Sequence, residues 1–324
     1  MRGREPDLEQ FLEVVAKLMS RHVVLGEPLS EPDRLRALEG AMAEADVLDL
    51  AVATFDMDEA RRWLADVVRA VAHSSPSVAL VLAARYTAHR GIGSALGLTD
   101  VESRSTSGVV ARLDAAAPCS TVPGLFDPEL TLLIDASGGS GVIVDAESTA
   151  AEPGPQRTGL TDAHLHTVRV VGEPTHRLEP TVAATVFRDL TLLTAAAALG
   201  VAEAASDISS AYAVERRQFG STLASFAGMR AMLVEMQLRV STVTALLEQA
   251  IELDSVESCM ELAATAGRAA VDVAIDAIQV HGGYGYIDEY PVAGLLRDAL
   301  SLRARIARRS SVARLAVERF GAAG

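Results

Sequence analysis

The chain of 324 residues is poor in several residue types that mark particular classes of protein. Its two cysteines, Cys119 and Cys259, are too few for a disulfide framework and do not match the spacing of a metal site. It has one lysine, Lys17, and a formal net charge of -14, so no basic block offers a surface to nucleic acid or an anionic membrane. The longest uncharged run of note, between Asp189 and Glu203, is too short to span a bilayer. These absences predict a cytoplasmic protein without membrane insertion.

The rest of the composition, 49% hydrophobic and 22% charged, is typical of a globular protein with a buried core. Residues 1–97 carry apolar side chains at steps of three and four, which predicts helices. Ser75 followed by Pro76 has the pattern of an N-cap with proline in the first helical turn. Three glycines between positions 91 and 97 are expected to end the helix that follows.

Residues 98–180 differ from this helical part, because glycine and proline become frequent and short β-type runs appear. The apolar runs at 130–135 and 142–145 are separated by a serine- and glycine-rich turn, which predicts a hairpin. Residues 165–170 alternate polar and apolar side chains, as a half-buried strand does. The pattern predicts a small β domain in the middle of the chain.

Helical periodicity returns after residue 180. Beyond residue 221 the apolar side chains recur about every 3.5 residues, which is typical of long helices packed in a bundle. Ser221 is the predicted N-cap of that helix, Gly282 is expected to end the next, and Pro291 to open the last. The four predicted helices cover residues 181–214, 221–253, 256–281 and 291–320.

The predicted fold class is therefore mainly α with a small β domain. The order of the parts is an N-terminal helical domain (1–97), a truncated middle β domain (98–180) and a C-terminal four-helix bundle (181–324).

The stretch at 212–220 stands out from ordinary helix sequence, because it places two arginines, an amide and an aromatic before a glycine. The planar fork of Arg216 can hold two phosphate oxygens. Phe219 either covers an aromatic ring or closes the end of the bundle. The alternative is a solvated arginine pair above a core phenylalanine.

A second stretch, 279–286, places Gln279 and several glycines at the predicted end of a helix. Glycines allow the close approach of a ligand. The alternative is an ordinary glycine C-cap, with His281 as a structural or capping residue rather than a base.

Together the two stretches resemble the C-terminal domain of the acyl-CoA dehydrogenase family. The shared motifs are R-x-x-F-G, which begins at Arg216, and Q-x-x-G-G-x-G, which begins at Gln279, followed by E-Y-P and R-D. The resemblance is specific over about 181–300 and fainter elsewhere. It implies an N-terminal helical domain, a middle β domain and a four-helix bundle, which is the order of the predicted parts.

The resemblance also implies an oligomeric FAD oxidoreductase of lipid metabolism. In that family FAD lies between two subunits, and the neighbour's motifs hold its pyrophosphate and adenosine end. The substrate is an acyl-CoA thioester, which is desaturated between its α and β carbons, and the usual electron acceptor is an electron-transfer flavoprotein. The residues implied to bind FAD here are Arg216 at the pyrophosphate, with Gln218 and Phe219 beside it, and Gln279, Gly282 and Gly283 at the adenosine half.

The catalytic half of the family site has no counterpart here. The position of the usual glutamate base, counted from Arg297, is Ile306, which cannot accept a proton. Other members carry the base on the first bundle helix, where counting back from Arg216 gives Leu190. The adjacent Asp189 is the alternative candidate, although one helical residue turns a side chain by about 100°.

The motifs that cover the flavin ring in the family are also absent between residues 98 and 130. Three hypotheses follow. The chain is a non-catalytic subunit that completes the FAD site of a full-length acyl-CoA dehydrogenase partner and is active only with it. Alternatively, it is a self-sufficient homo-oligomeric enzyme whose base is Asp189 or Asp298. In the third hypothesis it is a flavin-free scaffold or binding protein on the same fold.

Overall fold

The computed structural model of the chain describes residues 6–29, 32–54, 59–97, 108–113, 119–123, 129–135, 139–154, 157–306 and 321. Helices occupy both ends of this described part, and short strands lie between them. The predicted fold class, mainly α with a small β region and a C-terminal helical bundle, is confirmed. The domain boundaries at 97 and 180 stay predictions.

The N-terminal helices bury their apolar side chains together in one core cluster. Ser75 caps the longest of them, because its side-chain oxygen accepts a hydrogen bond from the Val78 N–H at 3.3 Å. Gly97 ends that helix in a left-handed conformation. The helices are α1 (Pro6–His22), α2 (Pro32–Glu44), α3 (Leu50–Ala53), α4 (Ala60–Ser74) and α5 (Pro76–Leu96).

Only one of the three glycines expected to end α5 does so. Gly91 and Gly93 lie inside the helix and are buried. A Cβ at Gly91 would come within 2.6 Å of the Val186 side chain and 2.7 Å of Leu132. Gly91 is therefore needed for close packing between elements, a tertiary demand that local sequence does not reveal.

Two small sheets form the middle of the chain. The predicted hairpin is confirmed, since β3 and β4 pair antiparallel with Leu132 opposite Ile143. One sheet has the strand order β1-β3-β4-β7, in which β1 and β3 are parallel, and the other has the order β2-β6-β5. The strands are β1 (Gly108–Leu113), β2 (Cys119–Pro123), β3 (Leu130–Asp135), β4 (Gly141–Asp145), β5 (Thr149–Pro153), β6 (Leu165–Val170) and β7 (His176–Arg177).

Four helices follow the strands, close to their predicted positions as far as residue 306. The predicted continuation of the last helix to residue 320 lies outside the described residues. The four helices are α6 (Pro180–Glu215), α7 (Ala227–Leu253), α8 (Val256–His281) and α9 (Val292–Ile306). Gly282 ends α8 as predicted. The Pro291 carbonyl accepts the first hydrogen bond of α9, from the Leu295 N–H at 2.9 Å, so this proline immediately precedes the helix.

The prediction that Ser221 caps α7 is wrong. Ser221 belongs to β9 (Ser221–Thr222), which pairs with β8 (Arg217–Gln218), and α7 begins six residues later at Ala227. The apolar repeat that suggested an earlier start continues through a single 3₁₀ turn, Leu223–Ser225. Apolar periodicity alone does not distinguish this turn from the helix.

Helix α6 is the centre of the molecule and contacts both helical ends of the chain. It is rich in alanine, and its side chains between Leu190 and Ala205 are buried with the exception of Glu203. By length and composition α6 could cross a membrane, but 78% of its most apolar window is buried inside the protein. Burial in the core therefore accounts for its apolar sequence.

Close contact between α6 and α4 depends on Gly200. A Cβ at this position would overlap the Arg69 carbonyl oxygen and lie 2.7 Å from the Ala72 Cβ. An ion pair also joins the two helices at this contact, with Arg69 Nε 2.8 Å from a Glu203 carboxylate oxygen. We expect Gly200→Ala to lower the free energy of unfolding by about 1–3 kcal/mol, because the helices must move apart.

The matched control is Gly40→Ala in α2, where a Cβ would meet no atom within 4 Å. It should raise stability by up to about 1 kcal/mol through helix propensity. Urea denaturation of both variants measures the difference. Equal effects of the two substitutions would contradict the assigned packing of Gly200.

Candidate functional site

The first predicted stretch forms a tight hairpin where α6 ends. Arg216 caps α6 in an extended conformation, and Gln218 pairs with Ser221 across the hairpin. The two tip residues, Phe219 and Gly220, both have positive φ, of 50° and 80°. This combination defines a two-residue type I′ turn, in which asparagine or glycine is favoured at both positions. A phenylalanine there is held in a strained conformation.

Phe219 projects into solvent from this tip, with 95% of its surface exposed. The interpretation of this residue as a core phenylalanine is therefore wrong. A buried phenylalanine stabilises a fold by about 1.5–3 kcal/mol, and this side chain contributes none of that to the chain on its own. Strain and exposure at one residue indicate a role outside the folded core.

The second predicted stretch follows α8. Gln279 is exposed in the last turn, and Gly282 leaves the helix with φ of 59°. The chain then forms the 3₁₀ turn Gly282–Tyr286. A Cβ at Gly282 or Gly283 would have no neighbour within 4 Å, so these glycines open onto free space.

Aromatic rings join the two stretches into one surface. Tyr212, from the last turn of α6, stacks on His281 with ring centroids 4.2 Å apart. Tyr290 contacts both of these rings edge-on, and Tyr284 lies 5.6 Å from Tyr290. The Arg216 guanidinium carbon lies 5.0 Å from the centre of the Tyr284 ring, within the range of a cation–π contact. We call this surface the corner.

His281 acts in the corner as a structural residue. Its Nδ1 donates a hydrogen bond to the Ala277 carbonyl at 2.8 Å, which places the neutral ring's proton on that nitrogen. Burial lowers the pKa of His281. The neutral ring stacked on Tyr212 supports the structural interpretation over a catalytic one.

The corner is cationic at its rim and open to solvent. Arg217 is exposed, and its Nη2 donates a hydrogen bond to the Gly220 carbonyl at 3.0 Å, which braces the hairpin. Arg216 is partly exposed and fixed by Tyr284. Two guanidiniums beside open glycines and exposed rings can hold a phosphate-linked aromatic group.

Neither position where a catalytic base was sought carries one. Ile306 is 1% exposed and packs in the core close to Gly267. Leu190 is buried as well. Residues 307 and 308, which follow the family base position, lie outside the described residues.

Asp189, the alternative candidate for the base, is buried in the interior of α6. One of its oxygens lies 3.4 Å from Arg61 Nε and 3.3 Å from Arg188 Nε, and the other lies 3.6 Å from Arg90 Nε. These three guanidiniums and the buried carboxylate form a structural ion-pair cluster that joins α4, α5 and α6. Sequence reasoning missed this cluster because Arg61 and Arg90 come from separate helices.

Asp298 holds a loop against α9 instead of pairing with Arg297. Its Oδ1 accepts a hydrogen bond from the Leu160 N–H at 2.6 Å, while Arg297 Nε donates to the Thr158 carbonyl at 3.1 Å. Burial raises the pKa of Asp298 to about 6, and the nearby Asp162 carboxylate adds to the rise. Both aspartates line a cavity of about 430 Å³ that also reaches Tyr290 of the corner.

Comparison with known proteins shows similarity both in sequence and in fold. The family description "Acyl-CoA dehydrogenase, C-terminal domain" matches residues 181–306, which span the bundle and both stretches of the corner. Residues 181–306 are therefore a C-terminal domain of the acyl-CoA dehydrogenase type. The family's R-x-x-F-G and Q-x-x-G-G motifs are therefore the two stretches that the aromatic contacts bring together.

Individual relatives agree with this assignment over part of their length. An acyl-CoA dehydrogenase of Bacillus subtilis is 42% identical over 110 residues, which are 32% of this chain and 29% of that protein. The caffeyl-CoA reductase-Etf complex subunit CarC of Acetobacterium woodii is 35% identical over 109 residues, again 32% of this chain and 29% of that protein. The match in sequence thus spans less than a third of either relative.

Similarity of fold extends over the whole acyl-CoA dehydrogenase structure. The solved structure of a Tcur3481-Tcur3483 steroid ACAD variant has a TM-score of 0.81 at 17% identity, and the alignment covers 98% of this chain and 99% of that one. At this level of identity the comparison shows the shared fold alone. The N-terminal helices and the strands therefore share the family architecture.

Because Phe219 is held in a strained backbone conformation, a residue that tolerates positive φ should make the chain more stable. We expect Phe219→Asn to raise the free energy of unfolding by about 1 kcal/mol, because asparagine before glycine suits a type I′ turn and tolerates positive φ. Chemical denaturation measures the change. A loss of stability would show that the Phe219 ring packs on the folded chain.

The raised pKa of Asp298 predicts a pH dependence with a definite sign. The folded state binds this proton more tightly than the unfolded state, whose pKa is near 3.8. The stabilisation is therefore complete below about pH 4 and is lost as the pH rises through 6. Asp298→Asn keeps an oxygen acceptor for the Leu160 N–H but carries no charge.

Relative to the variant, the wild-type chain should lose up to about 3 kcal/mol of stability between pH 4 and pH 7. Urea denaturation across this pH range measures the loss. Asp288→Asn removes an exposed carboxylate that lines the same cavity and should leave the slope as in the wild type. Parallel pH profiles for wild type and Asp298→Asn would contradict the assignment.

Proposed function

We propose that this chain is a non-catalytic subunit of an acyl-CoA dehydrogenase-type flavoprotein. It contributes the pyrophosphate and adenosine half of an FAD site to a partner subunit. The observation that carries the proposal is the contrast between two parts of the chain. The corner presents its cofactor-binding residues to solvent, whereas both candidate base positions are buried without a usable base.

The residues at the corner fit the phosphate and adenosine end of FAD. Arg216 provides a planar charged donor that Tyr284 holds in place. Gly282 and Gly283 leave room that a side chain would fill, and Gln279 is exposed beside them. Phe219 offers an aromatic face at the hairpin tip. These are the residues proposed to hold the cofactor.

The open geometry of the corner supports a shared site. Ligand sites in proteins are usually concave and bury most of the ligand, whereas the corner and its neighbours expose several large apolar side chains. Their exposed fractions are 95% for Phe219, 77% for Tyr286, 62% for Val214 and 41% for Ile287. A second subunit seated on these groups would bury them and enclose the cofactor between the two chains.

When bound, FAD supplies the hydride acceptor for oxidation of an acyl-CoA. The contribution of this chain is to neutralise the pyrophosphate charge through Arg216 and to position the adenosine half at the 279–283 turn. The partner provides the proton-abstracting carboxylate and the surroundings of the flavin ring. The partner then selects the substrate. This chain contributes to FAD binding and to assembly of the complex.

The remaining partners are proposed by relation to known proteins. An acyl-CoA is the proposed substrate of the assembly. An electron-transfer flavoprotein is the proposed acceptor, and the relative named as part of an Etf complex supports it. A structural relative whose name pairs two designations, Tcur3481 and Tcur3483, supports a two-chain assembly.

The test uses co-expression with the full-length acyl-CoA dehydrogenase encoded nearest to this chain. FAD per complex is measured from absorbance near 450 nm, and the Kd for FAD is measured after removal of the flavin. We expect Arg216→Ala to weaken FAD binding about 10- to 100-fold, because a hydrogen bond between charged groups contributes about 1.5–3 kcal/mol.

The matched control is Arg268→Ala, which removes an exposed arginine from α8 outside the corner. It should leave FAD binding unchanged. Unchanged FAD content in Arg216→Ala would overturn the assigned role. A complex that assembles without any flavin would favour the scaffold hypothesis instead.

A further inference from the structure

Residues 158–164 form a wall between two cavities. One cavity, of about 430 Å³, is lined by Thr158, Thr161 and Asp162 together with residues at the starts of α5 and α9. The other, of about 350 Å³, is lined by Leu160, Thr161 and His164 together with the end of β5. Thr161 borders both cavities. We call residues 158–164 the partition loop.

The backbone of the partition loop is strained. Leu160 and His164 flank the 3₁₀ turn Thr161–Ala163, and their φ angles are 55° and 41°. Neither residue is a glycine, and a positive φ is unfavourable for residues that carry a Cβ. Such a conformation persists only where contacts with the rest of the fold impose it.

Helix α9 supplies the first set of these contacts. Asp298 Oδ1 accepts a hydrogen bond from the Leu160 N–H at 2.6 Å, and Arg297 Nε donates one to the Thr158 carbonyl at 3.1 Å. A Cβ at Gly159 would overlap the Arg297 carbonyl oxygen, so the loop lies directly on the helix. The carboxyl of Asp298 thus holds the strained residue Leu160 in place.

Asp162 supplies a second contact, to the N-terminal helices. Its carboxyl is partly buried and accepts a hydrogen bond from the backbone of Leu29, which lies between α1 and α2. Asp162 and Asp298 line the same cavity. We call these two groups the carboxyl pair. One member joins the partition loop to the N-terminal helices, and the other joins it to α9.

The closed loop places both members of the carboxyl pair in an unfavourable setting for charge. Burial raises the pKa of Asp162. Burial also raises the pKa of Asp298 to about 6, and the Asp162 charge adds to that rise. Two carboxylates that share a partly buried site repel each other when both are ionised. The closed arrangement is therefore most stable while the pair retains a proton.

The charged groups around the pair do not cancel this effect. Arg297 faces Asp298, and His164 and Arg34 face Asp162, but burial outweighs the attraction in both cases. Glu27, which lies 3.5 Å from Arg34, and Asp288 place two further carboxylates on the cavity wall. The wall of the larger cavity is thus mainly acidic among the described residues.

We propose that the partition loop is a pH-sensitive latch between the two cavities. It is closed while the carboxyl pair holds a proton, and it opens locally when both carboxyls are charged. Opening lets Leu160 and His164 leave their left-handed conformations and joins the two cavities. The proposal concerns a local motion of this loop and does not rest on the proposed role in FAD binding.

Hydrogen exchange of the backbone amides, followed by mass spectrometry of the purified chain, tests the latch. Peptides that cover residues 158–164 are compared at pH 5 and pH 7.5, after correction for the intrinsic effect of pH on exchange. We expect protection of the Leu160 amide to fall about tenfold or more at the higher pH, because the closed form loses its proton near pH 6. Peptides from α6 should keep equal protection at both pH values.

Three variants assign the effect to the carboxyl pair. Asp298→Asn keeps an acceptor for the Leu160 N–H without the charge, and it should give equal protection at both pH values. Asp162→Asn removes the neighbouring charge and should make the fall smaller. The matched control is Asp288→Asn, which removes an exposed carboxylate from the same cavity and should behave as the wild type.

Three results would overturn the inference. The first is protection of residues 158–164 that does not change between the two pH values. The second is an equal fall in the α6 peptides, which would mean that the whole chain unfolds rather than the loop. The third is a fall of wild-type size in Asp298→Asn.

Discussion

The close packing of α6 against its neighbours is the constraint on which the rest of the structure depends. Its alanines and Gly200 bring the backbones of α4 and α6 so near that no larger side chain fits at that contact. The same helix begins beside the arginine cluster and ends at Arg216. The core that holds this helix therefore also positions the corner.

The corner contains a residue, Phe219, whose conformation and exposure lower the stability of the isolated chain. Phe219 has a positive φ, which asparagine and glycine adopt more readily, and its side chain is almost fully exposed. Both features oppose the stability of the isolated chain, by about 1–2 kcal/mol for the backbone alone. The aromatic contacts among Tyr212, His281 and Tyr290 keep the hairpin and the 279–286 turn together. The hairpin is thus rigid at its base and exposed at its tip, as a preformed contact for another molecule is.

The two candidate bases, Asp189 and Asp298, have structural roles in the fold. Asp189 is held by three guanidiniums, and Asp298 fastens the 158–162 loop to α9. A general base needs access to the substrate and a free lone pair at the reacting carbon. Ile306 provides neither, which supports the proposed division of labour between two subunits.

Local signals in the sequence predicted most of the fold. Ser75 and Pro76 marked a helix start, Gly282 marked a helix end, and the apolar spacing located the bundle helices. These signals succeed because caps and periodicity depend on neighbouring residues alone. Gly91 was misread as a terminator because its close contacts come from Val186 and Leu132, far along the chain.

The sites were harder to predict for the same reason. Motifs marked Arg216 and Gln279 as candidates, but the rings that join the two stretches are brought together by tertiary packing. The arginines around Asp189 come from three helices, so no spacing in the sequence connects them. The positive φ at Phe219 follows from the two-residue hairpin. The apolar periodicity assigned the second strand of this hairpin to a helix, so the hairpin was not predicted.

The most direct test of a half-site is to saturate the purified chain with FAD, remove free flavin and record the visible spectrum. We predict a nearly colourless protein, because one copy of the corner encloses only part of the cofactor. One tightly bound FAD per chain, bleached by addition of an acyl-CoA, would contradict the account. That result would make the chain a complete enzyme with a base of its own.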